Sequence, residues 1–255
     1  MSLDNSIKIQ KILQAWPAGT VATSAWFARF GVSAQLLGRY TSSHWIEPLA
    51  KGAYTKSGDR VDWLGGLYAL QTQGLLPVHA GALTALTLQG YAHYVRLGVE
   101  PVFLFSLPKN RLPLWFSRHK WKQPIHYCCT AILPPNLGLM DFRTPQFSLR
   151  LSAPERAILE CLYLSPSTMG LVECYQVMEG LTTLRPKLLQ QLLEQCRSIK
   201  VTRLFLYMAN KAGHDWNKRL DASKLKLGQG DRTITKGGVY VAQFGITVPE
   251  ELVKL

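Results

Sequence analysis

Acidic residues are scarce in this chain: 16 Asp and Glu stand against 29 Lys and Arg among 255 residues, a formal charge of +13. No Asp or Glu is followed two positions later by Lys. The carboxylate pattern with which many nucleases hold a metal ion and steady the attacking water is therefore missing. GxSxG, GxxxxGK[ST] and GxGxxG are absent too, and Gly228-Gln229-Gly230 is only a fragment of the last. The histidines His44, His79, His93, His119, His126 and His214 never reach HxH or HExxH spacing. The five cysteines form no CxxC pair, which argues against both a zinc knuckle and a disulfide framework. Cys161, Cys174 and Cys196 lie among leucines and read as small apolar core residues. His214-Asp215 reads as a surface turn. These absences point away from an enzyme, a metal and a cofactor.

Long apolar runs are lacking as well. Between Trp63 and Val95 there is no charged residue, yet Gln71, Gln73, Gly74, Pro77, His79 and Gln89 interrupt any membrane span. The N-terminus, MSLDNSIKIQK, has no apolar signal-peptide core. The expectation is a cytoplasmic protein with no membrane partner.

Positive charge is what the chain has in excess, and it is unevenly placed. Residues 1–60 carry 7 basic and 3 acidic groups, 101–150 carry 7 and 1, 201–255 carry 9 and 5, whereas 151–200 carry 5 of each. Such blocks imply a directed basic face and make nucleic acid the first partner to consider.

The first sixty residues read as three short helices and a hairpin. Ile9, Ile12, Leu13 and Trp16 give an amphipathic first helix, stopped by Pro17 and Gly19. Thr23 or Ser24 caps a second helix that Gly31 ends, and Ser33 caps a third running to about Ser43, with Leu36, Leu37 and Tyr40 inward. Trp45–Leu49 and Ala53–Lys56 then flank Ala50-Lys51-Gly52 as two strands and a basic turn, the pattern of a winged helix-turn-helix. In that reading Ser33, Gln35 and Arg39 face base edges, where Gln can pair with adenine and Arg with guanine. Lys51 and Lys56 on the wing, with Thr23 and Ser24 at a helix N-terminus, hold phosphates. A protein-binding winged helix with a solvated Arg39 remains the alternative.

Residues 61–94 read as helical, Leu64, Leu67 and Tyr68 forming one stripe and Leu83 and Leu86 another. Their lack of charge implies burial between the winged helix and the C-terminal part of the chain. Val102–Phe105 and Ile125–Cys129 predict a small sheet among prolines. Helical periodicity returns at Ala157, Ile158, Cys161 and Leu162 and again at Leu188, Leu189, Leu192, Leu193 and Cys196, with Ser152 and Glu155 spaced as a capping box and Pro186 in a first turn. The last forty residues read as strands and turns. Lys109, Arg111, Arg118, Lys120 and Lys122 alternate with Trp115, Phe116 and Trp121, either as a cationic stacking surface or as a solvated loop with inward aromatics.

Short motifs along nearly the whole chain resemble the AbiEi antitoxins of bacterial toxin–antitoxin and abortive-infection systems. They include Thr23-Ser24-Ala25-Trp26, Ser33-Ala34-Gln35-Leu36-Leu37, Arg39-Tyr40, Gly52-Ala53-Tyr54, His79-Ala80-Gly81 and Leu88–Tyr94. Further on come Ser152–Glu160, Met178–Pro186, Ser198–Val201, Gly213–Trp216, Lys236-Gly237-Gly238 and Ile246–Pro249. The resemblance implies an α+β chain, with an N-terminal winged helix-turn-helix domain over 1–94 and a mixed α/β antitoxin domain over 95–255. It implies repression of the protein's own operon through double-stranded promoter DNA, often inverted repeats, by monomers or dimers that bind cooperatively. It also implies counteraction of a nucleotidyltransferase-like toxin without a stable complex, with antitoxicity expected from about residue 95 onward. The alternatives are a ligand-responsive regulator without a toxin partner, or a nucleic-acid-processing enzyme.

Overall fold

The computed structural model describes residues 3–91 and 99–255, with side chains from Ile7 onward. It builds two apolar cores joined by a small third cluster.

The first core lies among α1 (Leu3–Ala15), β1 (Ala22–Thr23), α2 (Ser24–Arg29), α3 (Ala34–Ser42), β2 (Ile46–Ala50) and β3 (Ala53–Lys56). The helical spacing of Ile9, Ile12 and Trp16 turns all three inward onto Ala22, Phe27, Val32, Leu37, Tyr40 and Ile46. Trp16 meets Trp26 and Phe27 at 5.8 and 5.5 Å, and its indole N–H donates to the Thr20 carbonyl at 3.2 Å, so its one polar atom is satisfied. The strands form an antiparallel sheet in the order β1-β3-β2. Pro48 is tolerated because β2 is an edge strand. The hairpin turns at Lys51-Gly52, where Gly52 takes the φ of +80° that a side chain would resist. This is a winged helix-turn-helix.

The larger core begins at Trp63. It takes in α4 (Trp63–Thr72), β4 (His79–Ala80) and α5 (Ala82–Leu88), then β5 (Val102–Ser106), α6 (Leu114–Ser117), β6 (Ile125–Cys129), β7 (Leu139–Arg143) and β8 (Ser148–Ser152). The five strands run in the order β6-β5-β4-β8-β7, with β5/β6 and β4/β8 parallel and the other pairs antiparallel. Against this sheet and α5 lies α7 (Pro154–Leu164), buried over nearly its whole length, surrounded by α8 (Leu171–Gly180), α9 (Pro186–Glu194) and α10 (Ile199–Ala212). A small sheet of β9 (Arg232–Thr233), β10 (Val239–Val241) and β11 (Ile246–Val248), followed by α11 (Glu250–Lys254), closes the chain. Among the described residues no helix is long and apolar enough to cross a membrane.

Two sequence expectations are corrected here. The 61–94 segment is not helical throughout: it carries β4, the central strand of the large sheet, which is two residues long and so leaves no period to read. The end of that segment, His93 and the expected boundary at 94/95 lie outside the described residues; the two cores themselves part between Lys56 and Trp63. Ser152 and Glu155 do not form a capping box, since Ala153 is the N-cap of α7 and has no side-chain cap. Tertiary partners claim both side chains: Ser152 donates to Glu160 at 2.7 Å, and Glu155 accepts from the Arg185 backbone N–H, Nε and Nη2 at 2.8, 2.9 and 2.9 Å.

The two units are fastened directly to each other. The Gln73 side chain accepts from the Thr23 N–H at 2.9 Å and donates to the Val21 carbonyl at 2.8 Å, while Arg29 donates to the Gln73 carbonyl at 2.9 Å. Gly65 and Gly66 let α4 approach closely on two sides, because a Cβ there would overlap the Gly19 carbonyl and the rings of Phe116 and Trp121.

Candidate nucleic-acid interface

The third helix divides cleanly into two faces. Ser33, in extended backbone conformation, caps it by accepting from the Leu36 N–H at 3.2 Å. Leu37 and Tyr40 are buried, whereas Gln35, Gly38, Arg39 and Ser42 are exposed and recur at i, i+3, i+4 and i+7, one outward stripe. Gly38 sits at the middle of that stripe, and apart from its chain neighbours and its own helix backbone no atom of the described residues lies within 4 Å of where its Cβ would stand. Nothing inside the protein calls for glycine there, although glycine costs about 1 kcal/mol relative to alanine in a helix interior. Its effect is to leave the helix surface bare between Gln35 and Arg39, so that a partner can come close to the backbone. Sequence reasoning missed Gly38 and Ser42; the signal was their spacing from Gln35 and Arg39.

The wing tip stands beside α2. The Ser24 N–H donates to the Gly52 carbonyl at 2.9 Å, which ties the turn carrying exposed Lys51 to the N-terminus of α2. Thr23 Oγ1 caps α2 by accepting from the Trp26 N–H at 3.1 Å. No acidic residue occurs on α2, α3 or the Lys51-Gly52 turn. The exposed acid of the hairpin, Glu47, lies toward the far end of β2, and hydrogen bonds from Ser57 and the Gly58 N–H hold its carboxyl below the usual carboxylate range.

The structure thus brings Ser33, Gln35 and Arg39 onto one helix and Thr23, Ser24 and Lys51 around the wing tip. Lys56 is placed elsewhere. It lies opposite Ile46 at the far end of the hairpin, where its ammonium donates to the Leu13 carbonyl at 2.9 Å and lies 5.9 Å from the Trp16 ring centroid. Contact with α1 decides that orientation, so the phosphate-holding role expected of Lys56 is not supported by its placement.

In the larger unit Phe116 is fully buried, Trp115 and Trp121 are half-buried, and the Trp121 indole donates to the Phe116 carbonyl at 2.9 Å. The aromatics of the 109–122 segment pack inward and offer no stacking platform, while all five of its cations remain exposed.

The same unit contains a buried charged cluster around Glu160. Glu160 accepts from Ser152 at 2.7 Å, from Arg156 Nε at 2.8 Å and from the Ala82 N–H at 3.0 Å, with His79 Nε2 also 3.0 Å away. Burial pushes the Glu160 carboxyl up, but His79 and Arg156, with the Ser152 hydroxyl, together outweigh it and hold the group at about 2. The cavity that His79, Arg156 and Glu160 line together measures only about 10 Å³, and their mutual hydrogen bonds make the cluster a structural lock. His214 Nε2 is bonded to the Met178 carbonyl at 2.9 Å, and exposed Asp215 pairs with Lys218 at 2.8 Å in a turn. Among the described residues no three His, Cys, Asp or Glu side chains are gathered as metal ligands.

Comparison with known proteins also divides the chain in two, but at residues 97–99 rather than between the two cores. Residues 5–97 match the family model described as "Transcriptional regulator, AbiEi antitoxin N-terminal domain", and residues 99–249 match "Transcriptional regulator, AbiEi antitoxin, Type IV TA system". Among solved structures the chain is similar to the crystal structure of the RV2827C protein from Mycobacterium tuberculosis, at 14% identity over 94% of this chain and 89% of that one, with a TM-score of 0.63. At that identity the likeness concerns the fold. No curated protein matches the chain.

Proposed function

The chain belongs to the AbiEi family of type IV toxin–antitoxin transcriptional regulators, and from that premise we propose that it represses its own operon by laying α3 in the major groove of promoter DNA. The outward stripe of Gln35, Gly38, Arg39 and Ser42, beside a wing tip carrying Lys51, is the observation that supports this reading most directly. Gln35 and Arg39 read base edges on either side of the bare Gly38, while Ser33, Ser24, Thr23 and Lys51 fix the helix on the phosphates. Two copies, as monomers or as a dimer, would bind inverted half-sites cooperatively. A DNA-regulating role places the protein in the cytoplasm, and neither cofactor nor catalysis is needed for it.

The test is binding of the full chain to its own upstream duplex and to a scrambled one across a salt series. Preference for the upstream duplex that persists at higher salt is the expected result; equal, salt-sensitive binding to both would reduce the +13 charge to general nucleic-acid affinity. Lys51→Ala should weaken both duplexes alike and lower the logarithmic salt slope by about one.

We further propose that the unit beginning at Trp63 carries the antitoxin activity against a nucleotidyltransferase-like toxin, without a stable complex. A cut at residue 95 would remove β4 from the middle of its sheet, so the activity is better separated by point substitution. The full chain carrying Gln35→Ala and Arg39→Ala is expected to lose repression in a reporter assay and still to protect cells expressing the toxin. Loss of protection by this variant, shown to be folded, would refute the separation.

A further inference from the structure

We propose that the loop between β5 and β6 is a second DNA-contacting element, which grips phosphates on the duplex flanking the site read by the winged helix. The inference rests on the operator-binding reading above.

Lys109, Arg111, Arg118, Lys120 and Lys122 are all exposed, and the 107–124 stretch contains no acidic residue. None of the five side chains has a hydrogen bond or ion pair among the described residues, whereas Lys218, Lys224 and Lys254 are paired with Asp215, Asp221 and Glu250. Around Trp121 burial alternates strictly: His119 and Trp121 are half-buried, while Arg118, Lys120 and Lys122 are exposed. Three cations therefore stand on the solvent side of a segment whose other side is held down.

The anchoring places that segment at the wing. Trp115 and Trp121 pack into one small apolar cluster with Val21, Ala53, Ala69 and Leu49. Ala53 directly follows the Lys51-Gly52 turn, and Leu49 lies on the opposite strand of the same hairpin. The indole of Trp121 also fills the space left by Gly66 on α4. The loop is thus braced against the winged-helix sheet, next to the strand ends that carry the wing tip. Its unpaired cations thus belong to a segment anchored beside the hairpin that carries exposed Lys51, and both are free of acidic residues at that point of contact. A polyanion with charges repeating at short intervals, already seated on α3 and the wing, is the occupant this placement fits.

The test uses the full chain with Arg118→Gln, Lys120→Gln and Lys122→Gln together, all on exposed side chains. Wild type and variant are titrated against the upstream duplex with long flanks, and against the same duplex trimmed to the region covered by α3 and the wing. For the variant the logarithmic salt slope on flanked DNA should fall by about two to three, at roughly 0.9 for each phosphate left without its cation. Affinity for flanked DNA should fall at least tenfold, with affinity for trimmed DNA and the preference over scrambled sequence unchanged. If wild type prefers its upstream duplex and the variant matches it at every salt on both lengths, the loop does not touch DNA. Unchanged DNA binding with lost protection against the toxin would instead assign the loop to a protein or RNA partner, and also overturns the inference. A wild type without preference for its upstream duplex would bring down the operator reading itself, a result the same titration separates from the other two.

Discussion

Replacing Glu160 by alanine is expected to destabilise the larger unit by about 3–5 kcal/mol, the usual cost of removing one partner from a buried ion pair. For a unit of this size that corresponds to a fall in melting temperature of roughly 10 °C. The cause is specific. Arg156 would keep its Nη1 bonds to the Pro134 and Leu137 carbonyls at 2.6 and 2.7 Å, but its charge would lose the one carboxylate facing it inside the core. His79, stacked against Phe105 at 6.0 Å, the Ser152 hydroxyl and the Ala82 N–H would lose their acceptor in the same stroke. These groups come from β4, the start of α5, β8 and α7, so one side chain ties β4 and α5 to β8 and α7, which lie far from them in sequence. Glu160→Gln keeps the volume and part of the hydrogen bonding and should cost less than the alanine change. Urea denaturation of the three proteins measures the difference, and an alanine variant within about 1 kcal/mol of wild type would show that the lock contributes little.

The same carboxyl sets an acid limit. Its folded value of about 2 lies below the ordinary 4.5, so its contribution is fully present above about pH 4.5 and is lost as pH falls toward 2. Stability of the wild type should decline across that window more steeply than that of Glu160→Gln, which has no proton to take up at this site.

The largest effect on DNA is expected from Gln35→Ala and Arg39→Ala, each weakening binding to the upstream duplex by about 1–3 kcal/mol, the worth of one good base-edge contact. The two side chains are four residues apart on the exposed stripe of α3 and support nothing inside the protein, so stability should be unchanged. Loss of Arg39 should also relax discrimination at a guanine position, and loss of Gln35 at an adenine position. A gel-shift titration against single-base variants of the upstream sequence reads out both effects. Unaltered affinity for cognate and random duplexes after Arg39→Ala would remove α3 from the groove.

Local chemistry makes the reading unit legible. Thr23 and Ser33 cap α2 and α3 as their positions before apolar-periodic segments imply, and Gly52 marks the wing turn. The same holds for the buried cysteines Cys161, Cys174 and Cys196, whose leucine neighbours foretell their burial. Features governed by distant partners are not legible. Lys56 reads as a wing contact because strand position is visible in sequence and the Leu13 carbonyl beside it is not. Ser152 and Glu155 have the spacing of a local cap, yet Glu160 and Arg185 claim them across the core. His79-Ala80 is too short to show a strand period, although it fills the centre of a five-stranded sheet. Gly38 is conspicuous only once its open surroundings are seen.

The clasp of Gln73 on the edge of β1 bears on how such regulators can change what they recognise. A reading head moved from one lineage to another by recombination would arrive without its socket. The incoming β1 would meet a foreign Gln73, and the back of the hairpin would meet foreign indoles at 115 and 121. If α3 reads the operator as proposed, new specificity is therefore easier to acquire by substitution at the exposed positions 35, 38, 39 and 42 than by exchange of the whole module.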